Sequence, residues 1–270
     1  MTYLLRRDRD SNTKVLRPVR ANIGVEAAFR RRLVKMIEAM AASVQYWVEA
    51  AYKAHMPRLA MDAIPANELR DAMAKLSRQW TNNFDELSDW LADYFAKDVA
   101  DRSDAALQSA LRNAGFTVKF VITPAMRDVM AATVHQSTQL IKSIPAQYLG
   151  QVEGMVMRSV QTGRDLGQLS KDLQEQLGVT KKRAAFIARD QNEKATSALQ
   201  RTRQIEMGVE RAIWSHSHAG RHPRKTHVAM NNKPYDPKIG MWDSAINAFT
   251  FPGQEINCRC SSRSIISALQ

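Results

Sequence analysis

Residues 214–260 hold the side chains of this chain best suited to chemistry. They include His216, His218, His222 and His227, four of its six histidines, and both of its cysteines, Cys258 and Cys260. Thiolate and imidazole are the ligands zinc prefers in tetrahedral structural sites, so Cys258, Cys260 and His227 can supply three of them. His218 is taken as the fourth, with His216, His222 and Asp236 as alternatives. A metal would stabilise a small, loop-rich segment. The same residues also admit an arrangement that needs no cofactor, with the thiols packed as small apolar groups and the histidines as hydrogen-bonding loop residues. One residue between the cysteines is too short a separation for a relaxed mutual disulfide.

Two further chemistries are open to this stretch. His218, Arg224, His227 and Asp236, within the cluster at 216–236, are the residue types with which a nuclease or other hydrolase activates water and stabilises a phosphorane. Their spacing matches no catalytic signature, so the expectation is a protein that is not an enzyme, with nucleic-acid processing as the alternative. Non-specific contact with phosphates is the other possibility. The chain carries a formal charge of +12, and from Lys181 onward 15 Lys and Arg face 7 Asp and Glu, a net of +8. Arg201, Arg203, Arg211, Arg221, Arg224, Lys225, Lys233 and Lys238 are the candidate phosphate-facing residues. No helix-turn-helix, zinc finger or aromatic stacking platform accompanies them, which argues against sequence-specific recognition.

The elements that must position these residues are mostly helices. Apolar residues recur every three or four positions over 25–55 (Phe29, Leu33, Met36, Ile37, Met40, Val44, Trp47, Val48) and over 69–99 (Leu69, Met73, Leu76, Trp80, Phe84, Leu87, Leu91, Tyr94). These spacings predict two long helices packed as a hairpin with the aromatics in the core. Ser103 is read as the cap of a separate helix to Asn113, followed by a strand over 116–122. Thr123-Pro124 starts a helix to Lys142, Ser143-Ile-Pro145 starts another over 146–161, and further helices cover 166–177 and 181–207, divided at Gly178. His135, far from the other histidines, is read as structural. Strands are expected over 209–215, 246–251 and 259–266.

The fold class is therefore a mostly α N-terminal helical body followed by a small α+β C-terminal module. Residues 1–24 read as a flexible basic arm, 25–143 as a helical domain and 144–270 as a second domain, with helices over 145–207 and the β-containing module over 208–270. Within that module Trp214 should enter the core. Arg224 and His227 should tie down the long loop, and Cys258 and Cys260 should return the chain to the first strand. No apolar run is long enough to cross a bilayer and no secretory signal is visible, so synthesis in the host cytoplasm and no membrane association are expected.

Several segments in fixed order carry a family resemblance: RAAFIARDQNEKATSAL at 183–199, the entry from Gly208 to Trp214, Arg224-Lys-Thr-His227 and Asn257-Cys-Arg-Cys260. Gly163-Arg-Asp-Leu166 and Gly178-Val-Thr180 extend it upstream. The chain resembles the Mu F-like phage head-morphogenesis (minor capsid) proteins over about residues 144–266. It departs from their pattern where His216, Ser217 and His218 replace an aspartate, and in the distant position of Pro252. The resemblance implies a structural role in the virion head near the portal vertex. It also implies partnership with portal protein or major capsid protein, whereas non-specific contact with packaged double-stranded DNA is expected from the basic charge alone.

Overall fold

Apolar periodicity at three- and four-residue intervals becomes four long helices in the computed structural model, which describes residues 4–6, 13–54, 66–162, 165–218, 220 and 222–267. In chain order the elements are β1 (Leu4–Arg6), β2 (Thr13–Val15), α1 (Ile23–Ala54), α2 (Ala66–Asn113), β3 (Phe116–Val118), α3 (Pro124–Gln161) and α4 (Leu166–Glu206). The remainder are β4 (Arg211–Ser215), α5 (Lys225–Met230), β5 (Pro234–Tyr235), β6 (Met241–Asp243), β7 (Ala248–Thr250) and β8 (Ser261–Ser267). This is the expected class, a helical body with a small strand-containing C-terminal module.

Three breaks expected from the sequence do not occur. Ser103 lies buried in the middle of α2 instead of capping a new helix. Pro145 sits inside α3. Its missing N–H leaves one carbonyl a turn earlier without a helical donor, yet buried Ile141, Ile144 and Tyr148 hold the segment on its packing face. Ser143, read as a helix start, instead donates its hydroxyl to the Leu140 carbonyl at 2.7 Å. Gly178 likewise stays helical within α4, where Thr180 Oγ1 donates back to the Gln176 carbonyl at 2.9 Å. A mid-helix glycine costs about 1 kcal/mol relative to alanine, a penalty that burial of Leu173 and Ala184 on the same helix outweighs.

The chain forms two compact units, each discontinuous in sequence. One comprises Ala27–Ala92 and His135–Ile187, and the other Met1–Glu26, Asp93–Val134 and Ala188–Gln270. In the first, Phe29, Leu33, Ile37, Met40, Val44 and Val48 form the buried stripe of α1. Around this core Tyr52 donates to the Val156 carbonyl, Gln174 to Gln45 and Arg183 to Ser143. Not every periodic aromatic is core, contrary to the sequence expectation. Trp47 is 53% exposed and Leu87 46%, alongside Tyr46 and Trp90, and in the second unit Tyr94 is also exposed. Trp47 directly precedes Val48, a step of about 100° around the helix, which carries it off the buried stripe. His135 is exposed on α3.

The second unit is built on a four-stranded antiparallel sheet in the order β2-β8-β4-β5. Residues 13–22, which composition assigns to a flexible arm, are part of it. Lys14 pairs with Ile266 in β8, Leu16 and Val19 are buried with Leu107, Leu111, Phe116, Val209 and Ile266, and Lys14 Nζ donates to the Ala114 carbonyl at the end of α2. Asn22 then caps α1, its Oδ1 accepting from the Gly24 and Val25 amides. β1 pairs with β3, and β6 with β7, as separate two-stranded ladders. Both are antiparallel.

Small serines on β8 let the end of α4 approach the sheet. Gln204 Nε2 donates to Ser262 Oγ (2.8 Å) and Ser264 Oγ (2.9 Å), and Gln200 Nε2 to the Ser262 carbonyl (3.1 Å). Beside them Arg203, 1% exposed, pairs with Asp104 at 2.6 Å and Glu206 at 2.9 Å and donates to the Val121 carbonyl. A buried guanidinium is tolerated because all these acceptors satisfy its planar donor fork. Arg203 is therefore an internal tie and not a phosphate-facing residue.

Candidate functional site

The sheet and its loops bring together His227, Cys258 and Cys260. Their ligand atoms all lie within 4.8 Å of one another, and all three residues are buried. His227 Nδ1 is 3.4 Å from Cys258 Sγ and 3.8 Å from Cys260 Sγ. Its other ring nitrogen, Nε2, lies 3.2 Å from Asp243 Oδ2, at ion-pair distance but without the alignment of a hydrogen bond. Trp214 packs edge-on against the imidazole with centroids 5.1 Å apart. It shares a small core with Ala212, Met230, Tyr235 and both cysteines.

Each part of this arrangement has a local cause. His227 lies in α5, a six-residue helix whose ends are tied at two points. Arg224 donates to the Ile256 carbonyl, and Asn231 Oδ1 accepts from the His216 amide. The cysteines precede β8, so they belong to the turn leading into the strand and not to its first residues. That turn needs two left-handed positions, Gly253 (φ 83°) and Asn257 (φ 58°). A Cβ at Gly253 would stand 2.8 Å from the Cβ of Ser197, so only glycine fits. The Asn257 amide donates to Asp190 on α4 at 2.6 Å. Asp243 ends β6, and its Oδ1 accepts from the Ala245 amide.

The electrostatics follow from crowding two thiols against one imidazole. A hydrogen bond from Cys260 favours the Cys258 thiolate, and burial opposes it. His227 and the backbone N–H groups of Cys260 and Gly253 add further support, so the Cys258 thiol is held well below the usual thiol range. The same shared proton and burial push Cys260 up. The pair therefore gives up one proton easily and the second with difficulty. Burial raises the Asp243 carboxyl, but the Ala245 amide, Thr226 and His227 outweigh it and leave it below the ordinary carboxylate value. Burial also pushes the Tyr235 phenol up to about 12, while its hydroxyl bonds Ser262 at 2.6 Å.

Other residues singled out from the sequence lie elsewhere. His218 is exposed, and its amide donates to His216 Nδ1 at 3.2 Å, so it is not among the three clustered ligands. His222 is exposed, and the Asp236 carboxylate accepts from the Lys238 amide in a turn. Of the residues His218, Arg224, His227 and Asp236, only His227 belongs to the buried cluster, its two nitrogens facing the thiols and Asp243. Arg211, Arg224, Lys225, Lys233 and Lys238 are exposed, whereas Arg221 lies outside the described residues. Arg201 stacks its guanidinium over the Phe251 ring at 4.0 Å. Asp243 went unnoticed in the sequence, because a lone aspartate after Trp242 carries no spacing signal that links it to His227.

Comparison with known proteins agrees with the resemblance seen in the sequence. The family described as Phage Mu protein F like protein matches residues 150–263, a span that contains all of α4, the sheet strands β4 and β5, the start of β8, and the whole His–Cys cluster. An uncharacterized protein of Haemophilus influenzae is 27% identical over 266 residues. That alignment covers 94% of this chain and 56% of the relative, so the chain spans little more than half of the relative's length. No solved structure matches. A Mu F-like segment, shown over 150–263, therefore carries the site. No helix among the described residues is long and apolar enough to cross a membrane.

Proposed function

We propose that this protein is a structural head-morphogenesis protein of a tailed phage, a minor capsid component near the portal vertex that docks on portal or major capsid subunits. The observation that carries this reading is the family match over 150–263, within which the distinctive side chains are buried in the module core. Burial suits them to hold shape and not to meet a substrate. Exposed Trp47 and Trp90 on the helical unit are the kind of aromatic anchor around which protein interfaces are built. Exposed Arg211, Arg224, Lys225, Lys233 and Lys238 supply the charge for non-specific contact with packaged DNA.

Co-expression with the cognate portal and major capsid proteins, followed by affinity capture, tests the reading. Stoichiometric recovery with either one supports it, and recovery with neither rejects it. The double variant Trp47→Ala, Trp90→Ala should lower that recovery at least tenfold with little change in melting temperature. DNA contact is tested by gel shift across a salt series, where retardation at low salt should vanish as salt rises. The nucleic-acid-processing alternative requires cleavage that persists through purification and disappears in His227→Ala.

A further inference from the structure

We infer that His227 Nδ1, Cys258 Sγ and Cys260 Sγ form the protein part of a structural binding site for one zinc ion, with Asp243 orienting the imidazole from behind. With zinc bonded to sulfur at about 2.3 Å and to nitrogen at about 2.0–2.1 Å, a tetrahedral site separates S and N by about 3.6 Å. The two observed separations, 3.4 and 3.8 Å, bracket that value.

Hydrogen bonding can link the three groups only as a chain, from Cys260 to Cys258 and between Cys258 and Nδ1. A neutral imidazole nitrogen has one lone pair, so Nδ1 can accept from one thiol and not two. Two sulfurs converging on it leave one without that partner, whereas a cation between the three atoms satisfies all of them. Asp243 supplies a second, independent indication. Its carboxylate, 0% exposed, lies on the Nε2 side of the ring, with Oδ2 3.2 Å from that nitrogen. A carboxylate there keeps the ring proton on Nε2 and directs the Nδ1 lone pair toward the sulfurs, the usual support of a metal-bound histidine. The fourth position falls to water or another small ligand, since His216 is not among the convergent atoms and its Nδ1 accepts from the His218 amide.

The ion would have a definite structural task. The chain between His227 and Cys258 contains β5, β6 and β7, and β6 and β7 pair only with each other among the described strands. A metal bridging α5 to the turn before β8 fastens both ends of that excursion. The site is independent of the head-assembly reading, since it depends on these residues alone.

The test uses the full chain, purified without metal affinity resin and analysed by inductively coupled plasma mass spectrometry. About one zinc per chain is expected, and Cys258→Ser, Cys260→Ser and His227→Ala should each lose it. Because those variants can fail to fold, a second measurement uses the wild-type protein. Stripped with chelator and refilled with cobalt(II), it should show the thiolate-to-cobalt charge-transfer absorption and visible bands of a tetrahedral thiolate site, and its melting temperature should fall on stripping and recover with zinc. Asp243→Asn should retain the bands with a 10- to 100-fold weaker zinc affinity. Sub-stoichiometric zinc, a cobalt form without charge-transfer absorption, or melting unaffected by chelator each overturns the proposal.

Discussion

The helical unit of residues 27–92 and 135–187 and the β-containing end of the other unit are stabilised in opposite ways. In the first, α1 alone places Phe29, Leu33, Ile37, Met40 and Val44 at 1% exposure or less. Many similar contacts share the load, and none is chemically unique. In the second, a few dissimilar residues each hold one junction. Trp214 backs the imidazole, Arg203 joins α4 to Asp104 and the Val121 carbonyl, and Gln204 bridges two serines of β8. Dispersion and area burial grade smoothly with size, whereas buried polar ties fail abruptly when one partner is lost. The helical unit should therefore tolerate substitution and the β-containing end should not.

The sharpest way to break that contrast is Trp214→Ala. Removing a fully buried indole should cost about 3–5 kcal/mol, measured by chemical denaturation. The near-UV circular dichroism of the module should collapse while most of the far-UV helical signal persists. Arg203→Met comes next, at about 3 kcal/mol or more, because it leaves two carboxylates and a carbonyl facing an apolar chain. A cost below 1 kcal/mol would show that Asp104 and Glu206 find water instead, and would remove Arg203 as a tie. In the helical unit Ile37→Val, at a site 0% exposed, should cost only about 0.5–1.5 kcal/mol. A larger loss there would erase the distinction between the two regions.

A smaller effect concerns pH. Burial first, and then the negative charge at Cys258, raise the Glu193 carboxyl from 4.5 to about 7. A raised folded-state value means that protonated Glu193 favours the fold. Its contribution is complete below about pH 4.5 and is lost as pH rises through about 7. Glu193→Gln should flatten the stability profile across that window in chelator-treated protein, as followed by urea denaturation at each pH. An unchanged slope would show that Glu193 does not cause it.

The helical periodicities were legible because one buried stripe recurs along each helix and needs no distant partner to be recognised. The continuity of those helices was not. Pro145, Gly178 and Ser103 carry local stop or start signals, and burial of their neighbours overrides signals of this size. The basic character of residues 13–22 likewise concealed Leu16 and Val19, two apolar residues too few for a periodic pattern yet sufficient to seat β2 against β8.

For the site, the residue types made His227, Cys258 and Cys260, with His218, candidate ligands, and left packed thiols with hydrogen-bonding loop histidines as the other arrangement open to them. Gly253 and Asn257, residue types that tolerate a left-handed backbone, occupy the two left-handed positions of the turn that delivers the cysteines. Tertiary structure alone decided that His218 faces outward, that Arg203 is internal and that Asp243 stands behind His227. Those outcomes depend on which strands pair across tens of residues, and no local preference encodes a partner at that distance.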